Sequence, residues 1–250
     1  MDIGESAPGA GRRQPVTGAA RTFVIAADRL ILGLARHWLP VMTAAVFIYV
    51  GLPFLAPVFM KLGWTGAAQV IYSAYSGLCH QLGYRSWYLF GEHWAYPRDI
   101  FQAFSGIDPN DLFAARAFTG NAQMGFKVAY CERDVAIYGA IGVAGLIYGL
   151  PFVRRRVKPL PWLAYALIGV FPIAFDGFSQ LFSQYPYNTL GLFGWLPYRE
   201  SNALLRTFTG SLFGLANAWL ALPYLNESFN SIKEDLATKL ARVDAEGPPR

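Results

Sequence analysis

Two cysteines and their neighbours form the first group of residues that could do chemistry. Cys79 is followed directly by His80, and Cys131 lies three residues before Asp134. Zinc and other transition metals accept sulfur, imidazole and carboxylate ligands, so these four side chains could hold such a metal. The two cysteines could instead form a disulfide on the oxidising side of a membrane, or stay buried as free thiols. The sequence leaves these three states open.

A larger group of charged and polar residues lies within or beside apolar stretches. Charge is costly there, so it pairs with an opposite charge or marks a site. Paired charges would simply hold helix ends together. Arginines that face a pocket would instead bind an anion, a lipid head group or a quinone-like molecule. The residues that we expect to cluster are Arg133, Asp134, Asp176, Gln180, Arg199, Glu200, Asn202 and Arg206.

Asp176 is the candidate catalytic residue of this group. It follows Phe175 in an apolar run, so we expect a hydrogen bond from Arg133, Arg199 or Arg206. A carboxylate at this depth could carry a proton or act as a general base. The alternative to a binding protein is therefore a membrane-embedded enzyme, a metal-assisted hydrolase or a thiol/quinone redox enzyme, acting on a lipid-like substrate. The sequence has no zinc-protease, phosphate-loop or dinucleotide motif, and whether it is an enzyme stays open.

The composition defines the setting in which these residues must work. Of 250 residues, 54% are hydrophobic and 15% are charged, which is too apolar for an ordinary soluble domain. The net charge is +5, but the basic residues flank apolar runs, which indicates membrane orientation and argues against nucleic-acid binding. We expect a protein of the lipid bilayer with no nucleic-acid partner. Any small ligand would be lipid-like or anionic.

The apolar runs predict an all-α integral membrane protein, a four-span helical bundle with interfacial helices. Residues 1–20 are expected to be a disordered tail, residues 21–225 the membrane domain, and residues 226–250 a charged cytoplasmic tail. Residues 21–37 could be an interfacial helix or an extension of the first span. The spans are expected at about 38–60, 132–153, 160–182 and 202–224.

Residues 61–131 are expected to form a small extracytoplasmic cap. Arg85–Phe90 and Phe126–Tyr130 have strand-like composition and could pair as a short hairpin. Between them, Asp108 is the expected N-cap of a helix that covers residues 112–118. Within the spans, the pairs Gly145/Gly149 and Gly210/Gly214 have the spacing that allows two helix backbones to approach closely.

The segment Arg154–Lys158 sets the expected orientation. It holds four basic residues and no acidic ones, so it should face the cytoplasm. Alternation then places both termini in the cytoplasm and the cap outside, in a multi-pass protein of the plasma membrane. Both groups of polar residues would lie at or just below the outer boundary of the bilayer.

An ordered set of motifs resembles a known family. Between about Ser76 and Phe213, the chain is similar to bacterial and archaeal multi-pass membrane proteins of domain of unknown function family 2085. Relatives carry a second cysteine where this chain has Asp134, so the chain departs from the family there. The resemblance implies a membrane location and no established reaction. The motifs are Cys79-His80-Gln81, Arg85-Ser86, Cys131-x-Arg133-Asp134, Asp176-Gly177-x-x-Gln180, Arg199-Glu200-Ser201-Asn202 and Leu205-Arg206.

Overall fold

The computed structural model describes residues 18–184, 187–189 and 193–246, which are mostly helical with one small sheet. Most of the expected N-terminal tail, residues 1–17, lies outside the described residues, and so do residues 247–250. Residues 18–20 belong to the first helix, which begins at Gly18.

The described residues divide into two compact units, of which the first comprises residues 18–37 and 228–246. Helix α1 (Gly18–Lys61) has non-helical backbone angles at His37, the last residue of its part of this unit. The other part of this unit comes from α9 (Ala203–Glu246). Two ion pairs join the two parts, Arg29–Asp244 at 2.9 Å and Asp28–Lys239 at 2.6 Å.

The second unit, Trp38–Glu227, contains the other elements and all the candidate site residues. After α7 (Trp162–Ala164), the backbone continues through the wider turns of Tyr165–Val170 into α8 (Phe171–Phe182). Pro172 lies just beyond these turns, and proline has no N–H to donate to the preceding turn. The helices of this unit are α2 (Thr65–Ser76), α3 (Arg98–Ser105), α4 (Leu112–Ala117), α5 (Glu132–Tyr148), α6 (Pro151–Arg156), α7 (Trp162–Ala164) and α8 (Phe171–Phe182).

A three-stranded antiparallel sheet links the first part of this unit to α5. Strand β1 (Ser86–Leu89) pairs with β3 (Gly125–Cys131), and β2 (Gly120–Asn121) pairs with the other edge of β3. The predicted pairing of the two strand-like segments is therefore confirmed. Gly125 has φ +71°, and a Cβ there would lie 2.2 Å from the Leu89 carbonyl oxygen, so only glycine fits.

The insertion between β1 and β3 shares an aromatic core with β1 and the turn before it, and its last helix begins differently from the prediction. Tyr84, Tyr88, Tyr96 and Phe101 pack together around Met124. The prediction that Asp108 is the helix cap was wrong. The side chain of Asp111 accepts the N–H groups of Phe113 and Ala114, whereas Asp108 accepts the N–H of Asn110 in the preceding turn.

Close contacts with other helices occur at both members of the pair Gly210/Gly214, but at only one member, Gly145, of the pair Gly145/Gly149. A Cβ on Gly214 would lie 2.3 Å from the Ile137 carbonyl oxygen, and one on Gly210 would lie 2.8 Å from the Arg133 carbonyl oxygen. Helix α9 therefore packs directly on the backbone of α5, and the predicted close approach at Gly210 and Gly214 is confirmed. Gly145 meets the side chain of Thr43 in α1. The prediction was wrong for Gly149, because the nearest atoms to its Cβ position belong to its own helix.

By length and composition, two helices among the described residues could cross a membrane, Gly18–Lys61 and Trp162–Phe182. The span predicted at 38–60 falls within the first of them, and the span predicted at 160–182 begins two residues before the second. Helix α5 has only 17 residues, somewhat short of the length of about 20 that a span needs. The four-span bundle therefore stays a prediction.

Candidate functional site

Asp176 is the centre of a buried ion-pair cluster. Its side chain is 2% exposed on α8, and its Oδ1 accepts a hydrogen bond from Arg199 Nη2 at 2.8 Å. Its Oδ2 accepts hydrogen bonds from Arg133 Nη2 and, at 3.0 Å, from the Ser201 hydroxyl. The expectation that an arginine would pair with Asp176 is confirmed. Three elements meet here, the start of α5, α8 and the segment before α9.

A second cluster forms around Arg206, which is 4% exposed near the start of α9. Its Nη1 donates to Glu132 Oε2 at 3.0 Å, and its Nη2 donates to Glu200 Oε1. Arg85 also binds Glu200 with two parallel bonds, from Nε at 2.9 Å and from Nη2 at 3.1 Å. Glu200 thus joins α9 to the turn that leads into β1.

Two glutamines of α8 and the segment that follows it tie the clusters into one network. The side-chain amide of Gln180 donates to Glu200 Oε1 at 2.9 Å, and its side-chain oxygen, Oε1, accepts the Ser201 N–H at 3.4 Å. Ser201 in turn donates to Asp176. Gln184 donates to Glu200 Oε2 at 2.9 Å. Gln180 lies one helical turn beyond Asp176, which explains why one helix face serves both clusters.

The two cysteines lie together as free thiols. Their sulfur atoms and a carboxylate oxygen of Asp134 are all within 4.8 Å of one another. The Cys131 thiol donates a hydrogen bond to Asp134 Oδ2 at 2.9 Å. The neighbouring Cys131 side chain lowers the pKa of the Cys79 thiol below its ordinary value, whereas the contact with Cys79 and burial raise the pKa of Cys131 well above its ordinary value.

The two predicted groups meet at one cavity of about 410 Å³, which we call the site cavity. Arg206 also lines a second cavity, of about 470 Å³, so its guanidinium borders both. Arg133 contributes a buried Nε for which no hydrogen-bond partner exists among the described residues. The lining of the site cavity consists of Leu78, Cys79, His80, Gln81, Leu82, Arg85, Cys131, Arg133, Asp134, Gly177, Gln180, Leu181, Gln184 and Arg206.

Comparison with known proteins supports the resemblance inferred from the motifs. The model of a family described as "Predicted membrane protein (DUF2085)" matches residues 116–220. The family resemblance is confirmed over this stretch. A DUF2085 match supports a membrane location. The uncharacterized protein MJ1492 of Methanocaldococcus jannaschii is 27% identical over 202 residues, which are 78% of this chain and 96% of that protein. No solved structure matches this chain.

The stretch that matches DUF2085 holds most of the ion-pair network, from Glu132 to Arg206. Cys79 and Arg85 precede it in the chain. The site cavity is therefore built from both the matched stretch and the turn after α2, and the structure is what brings these two parts together.

Three residues that were expected in the clusters have other places in the structure. His80 is exposed; it lines the site cavity but does not join the three converging ligand atoms. Asn202 is exposed, and its side-chain oxygen accepts the Leu205 N–H at 2.8 Å, so it caps α9. Asp134 bonds to Cys131 and not to an arginine of the network.

Lys127 is a buried residue that the sequence analysis missed. Its ammonium donates to the carbonyl oxygens of Gln81 at 2.7 Å and Arg116 at 2.5 Å. Burial lowers the pKa of Lys127 to about 7, and the charge of Arg116 acts in the same direction. A lysine in a short strand looks solvent-exposed in the sequence, so no pattern signals its burial. The consequence is structural, because Lys127 fixes the loop that carries Cys79.

Proposed function

We propose that this chain is a multi-pass membrane protein whose site cavity binds the anionic head group of a small or lipid-like ligand. One observation carries the proposal: three arginines line the cavity, and one of them has a buried Nε without a partner among the described residues. A buried donor that lacks an acceptor costs about 1–3 kcal/mol, more when it is charged. A ligand oxygen would recover that cost once the Arg133 side chain turns this N–H toward the cavity.

The chemistry of the lining favours a phosphate or a carboxylate. Guanidinium groups bind both through two parallel N–H···O bonds. Gln180 and Gln184 add amide donors and acceptors at the same wall. Arg85 and Arg206 already bind Glu200, so they hold the wall in place, and Arg133 is the residue with a donor to spare.

Phosphate binding is expected to depend on the geometry of Arg133. In detergent, inorganic phosphate should raise the Tm of the parent protein relative to chloride at equal ionic strength. Arg133→Lys keeps the charge beside Asp176 but removes Nε, so phosphate affinity should fall by about 10–100-fold, the loss expected for one hydrogen bond to a charged group. Arg155→Lys, a change at an exposed arginine of α6, is the matched control and should bind as the parent does.

A parallel measurement identifies the source of the head group. Native mass spectrometry should show retained phosphatidylglycerol in preference to phosphatidylcholine if the ligand is a lipid, and a response to phosphate alone if it is a free anion. Equal affinities of the parent and Arg133→Lys for both probes, or no binding of either probe, would refute the proposed pocket.

The four-span arrangement is proposed on the apolar side chains that the second unit leaves exposed. On α8, Phe171, Phe175 and Phe178 are each more than half exposed. Contiguous apolar surface of this kind suits contact with lipid tails. Helices α5 and α9 pack backbone to backbone through Gly210 and Gly214, as neighbouring spans do. The exposed residues on these two helices include Val143, Leu146, Ile147, Leu204, Phe208, Leu215 and Trp219.

The proposed orientation places Arg154–Lys158 and both termini in the cytoplasm and the cap outside. A cysteine introduced at Arg155 should react with an impermeant maleimide only in inside-out vesicles. A cysteine introduced at Phe113, which is 88% exposed in α4, should react in intact cells. The parent protein measures labelling of its own two cysteines. The reverse pattern would place the site cavity at the cytoplasmic boundary and overturn the proposed topology.

A further inference from the structure

Three metal-ligand atoms converge at one wall of the site cavity from two separate parts of the fold. Cys79 lies in the loop after α2, whereas Cys131 ends β3 and Asp134 lies in the first turn of α5. Their ligand atoms are all within 4.8 Å of one another. Sulfur ligands about 2.3 Å from a zinc ion lie roughly 3.8 Å apart in a tetrahedral site, so a small contraction is enough.

Backbone N–H groups point at both sulfur atoms. The N–H of Gln81 donates to Cys79 Sγ at 3.4 Å, and the N–H of Asp134 donates to Cys131 Sγ at 3.5 Å. Each bond treats the sulfur as an acceptor, which suits a thiolate, the form of cysteine that binds metal. These outer bonds would orient the ligands around a metal.

The loop that carries Cys79 is held in an unusual conformation. Gln81 has φ +53°, a region that a residue with a side chain seldom adopts. Its side chain donates to the carbonyl oxygens of Tyr72 at 2.9 Å and Ala129 at 3.0 Å, and its own carbonyl accepts from Lys127. Three contacts therefore fix the backbone whose N–H points at Cys79. Such constrained backbone is found where a site is preorganised.

The charge around the three ligands favours a divalent cation. Two thiolates and one carboxylate carry three negative charges, and a divalent metal reduces this to one. The neighbouring ion-pair network holds four arginines and three carboxylates, and this excess of one positive charge balances the remainder. Without a metal, the Cys131 thiol keeps its proton and donates it in a hydrogen bond to the Asp134 carboxylate.

We infer that Cys79, Cys131 and Asp134 bind one zinc ion, with a fourth coordination position open to the site cavity. Two sulfur ligands and one oxygen favour zinc over hard cations such as magnesium or calcium. Three protein ligands with one open position is the arrangement of zinc sites that accept water or a ligand. The inference goes beyond the proposed head-group pocket and does not depend on it.

Zinc binding is tested on the full-length protein, purified in detergent with reduced thiols and without phosphate or added lipid. Titration against a chromophoric chelator should show one high-affinity zinc ion per chain, and cobalt should give a sulfur-to-metal absorption band. Cys79→Ser and Asp134→Asn should each weaken zinc binding by at least about tenfold, because even residues behind the ligands contribute that much. His80→Ala changes an exposed neighbour that lines the same cavity, and it should bind zinc as the parent does.

Three results would overturn the inference. The reduced parent protein could bind no zinc, or both ligand variants could bind it as tightly as the parent. Alternatively, thiol counting on protein from native membranes could show Cys79 and Cys131 joined as a disulfide. Asp134→Asn keeps both thiols and the shape of the side chain, so it tests the site even where Cys79→Ser folds poorly. Arg133→Lys should retain zinc, which separates failure of this site from failure of the head-group pocket.

Discussion

Replacing Arg206 by methionine is expected to lower the free energy of unfolding by about 3–5 kcal/mol, the cost of removing one partner from a buried ion pair. Methionine keeps most of the side-chain volume, so the loss comes from charge and not from a cavity. Glu132 and Glu200 both accept from Arg206, and Glu132 is almost completely buried. The variant leaves the carboxylate of Glu132 without its guanidinium partner.

The measurement is unfolding in mild detergent, with a double-mutant cycle to separate the pair from its surroundings. Glu132→Gln removes the stranded charge, so the double variant Arg206→Met with Glu132→Gln should be more stable than the sum of the two single changes predicts. Arg156→Met alters an exposed arginine of α6 and should change stability by about 0.5 kcal/mol or less. An Arg206→Met protein that unfolds like Arg156→Met would show that the pair does not hold the unit together.

The sequence allowed the centre of the ion-pair network to be predicted, but not all of its members. A charged residue inside an apolar run needs a partner, so Asp176 and Arg206 indicate a cluster even before their partners are known. Glu132 was missed because it stands at the very start of an apolar run, where a carboxylate can equally face water. Arg85 was missed as a partner of Glu200 because 115 residues separate the two in the chain.

The pairing of β1 with β3 was predictable because aromatic residues mark both strands. The cap of α4 was not, because Asp108 and Asp111 both lie where an N-cap can form. The structure uses both, one for the turn and one for the helix. Sequence patterns identify residues that are able to cap, whereas the geometry of the chain decides which of them does.

The meeting of the thiols and the arginines at one cavity depends on tertiary structure. Cys79 and Cys131 could be matched as ligands or as a bridge from residue type alone. Their placement beside Arg85, Arg133 and Gln180 depends on the loop that Gln81 and Lys127 hold in place. Neither the positive φ of Gln81 nor the burial of Lys127 leaves a signal in the periodicity of the sequence.

Replacing Asp176 by alanine is expected to cost about 3 kcal/mol, at the lower end of the range for breaking a buried pair. Its carboxylate is 2% exposed, but the side chains of Arg133 and Arg199 are 24% and 33% exposed. Water can therefore reach part of each stranded guanidinium and reduce the penalty. Asp235→Ala, at an exposed position in α9, is the matched control and should be close to neutral.

Asp176→Asn separates the structural role of this carboxylate from a chemical one. Asparagine keeps the shape and one carbonyl acceptor for the Ser201 hydroxyl or an arginine, so it should unfold between the parent and the alanine variant. If Asp176 serves only to orient Arg133, the asparagine variant should keep part of the Tm increase that phosphate gives the parent, whereas alanine should lose it. If both variants have the same free energy of unfolding as the parent, the carboxylate is solvated and other contacts hold the arginines beside it.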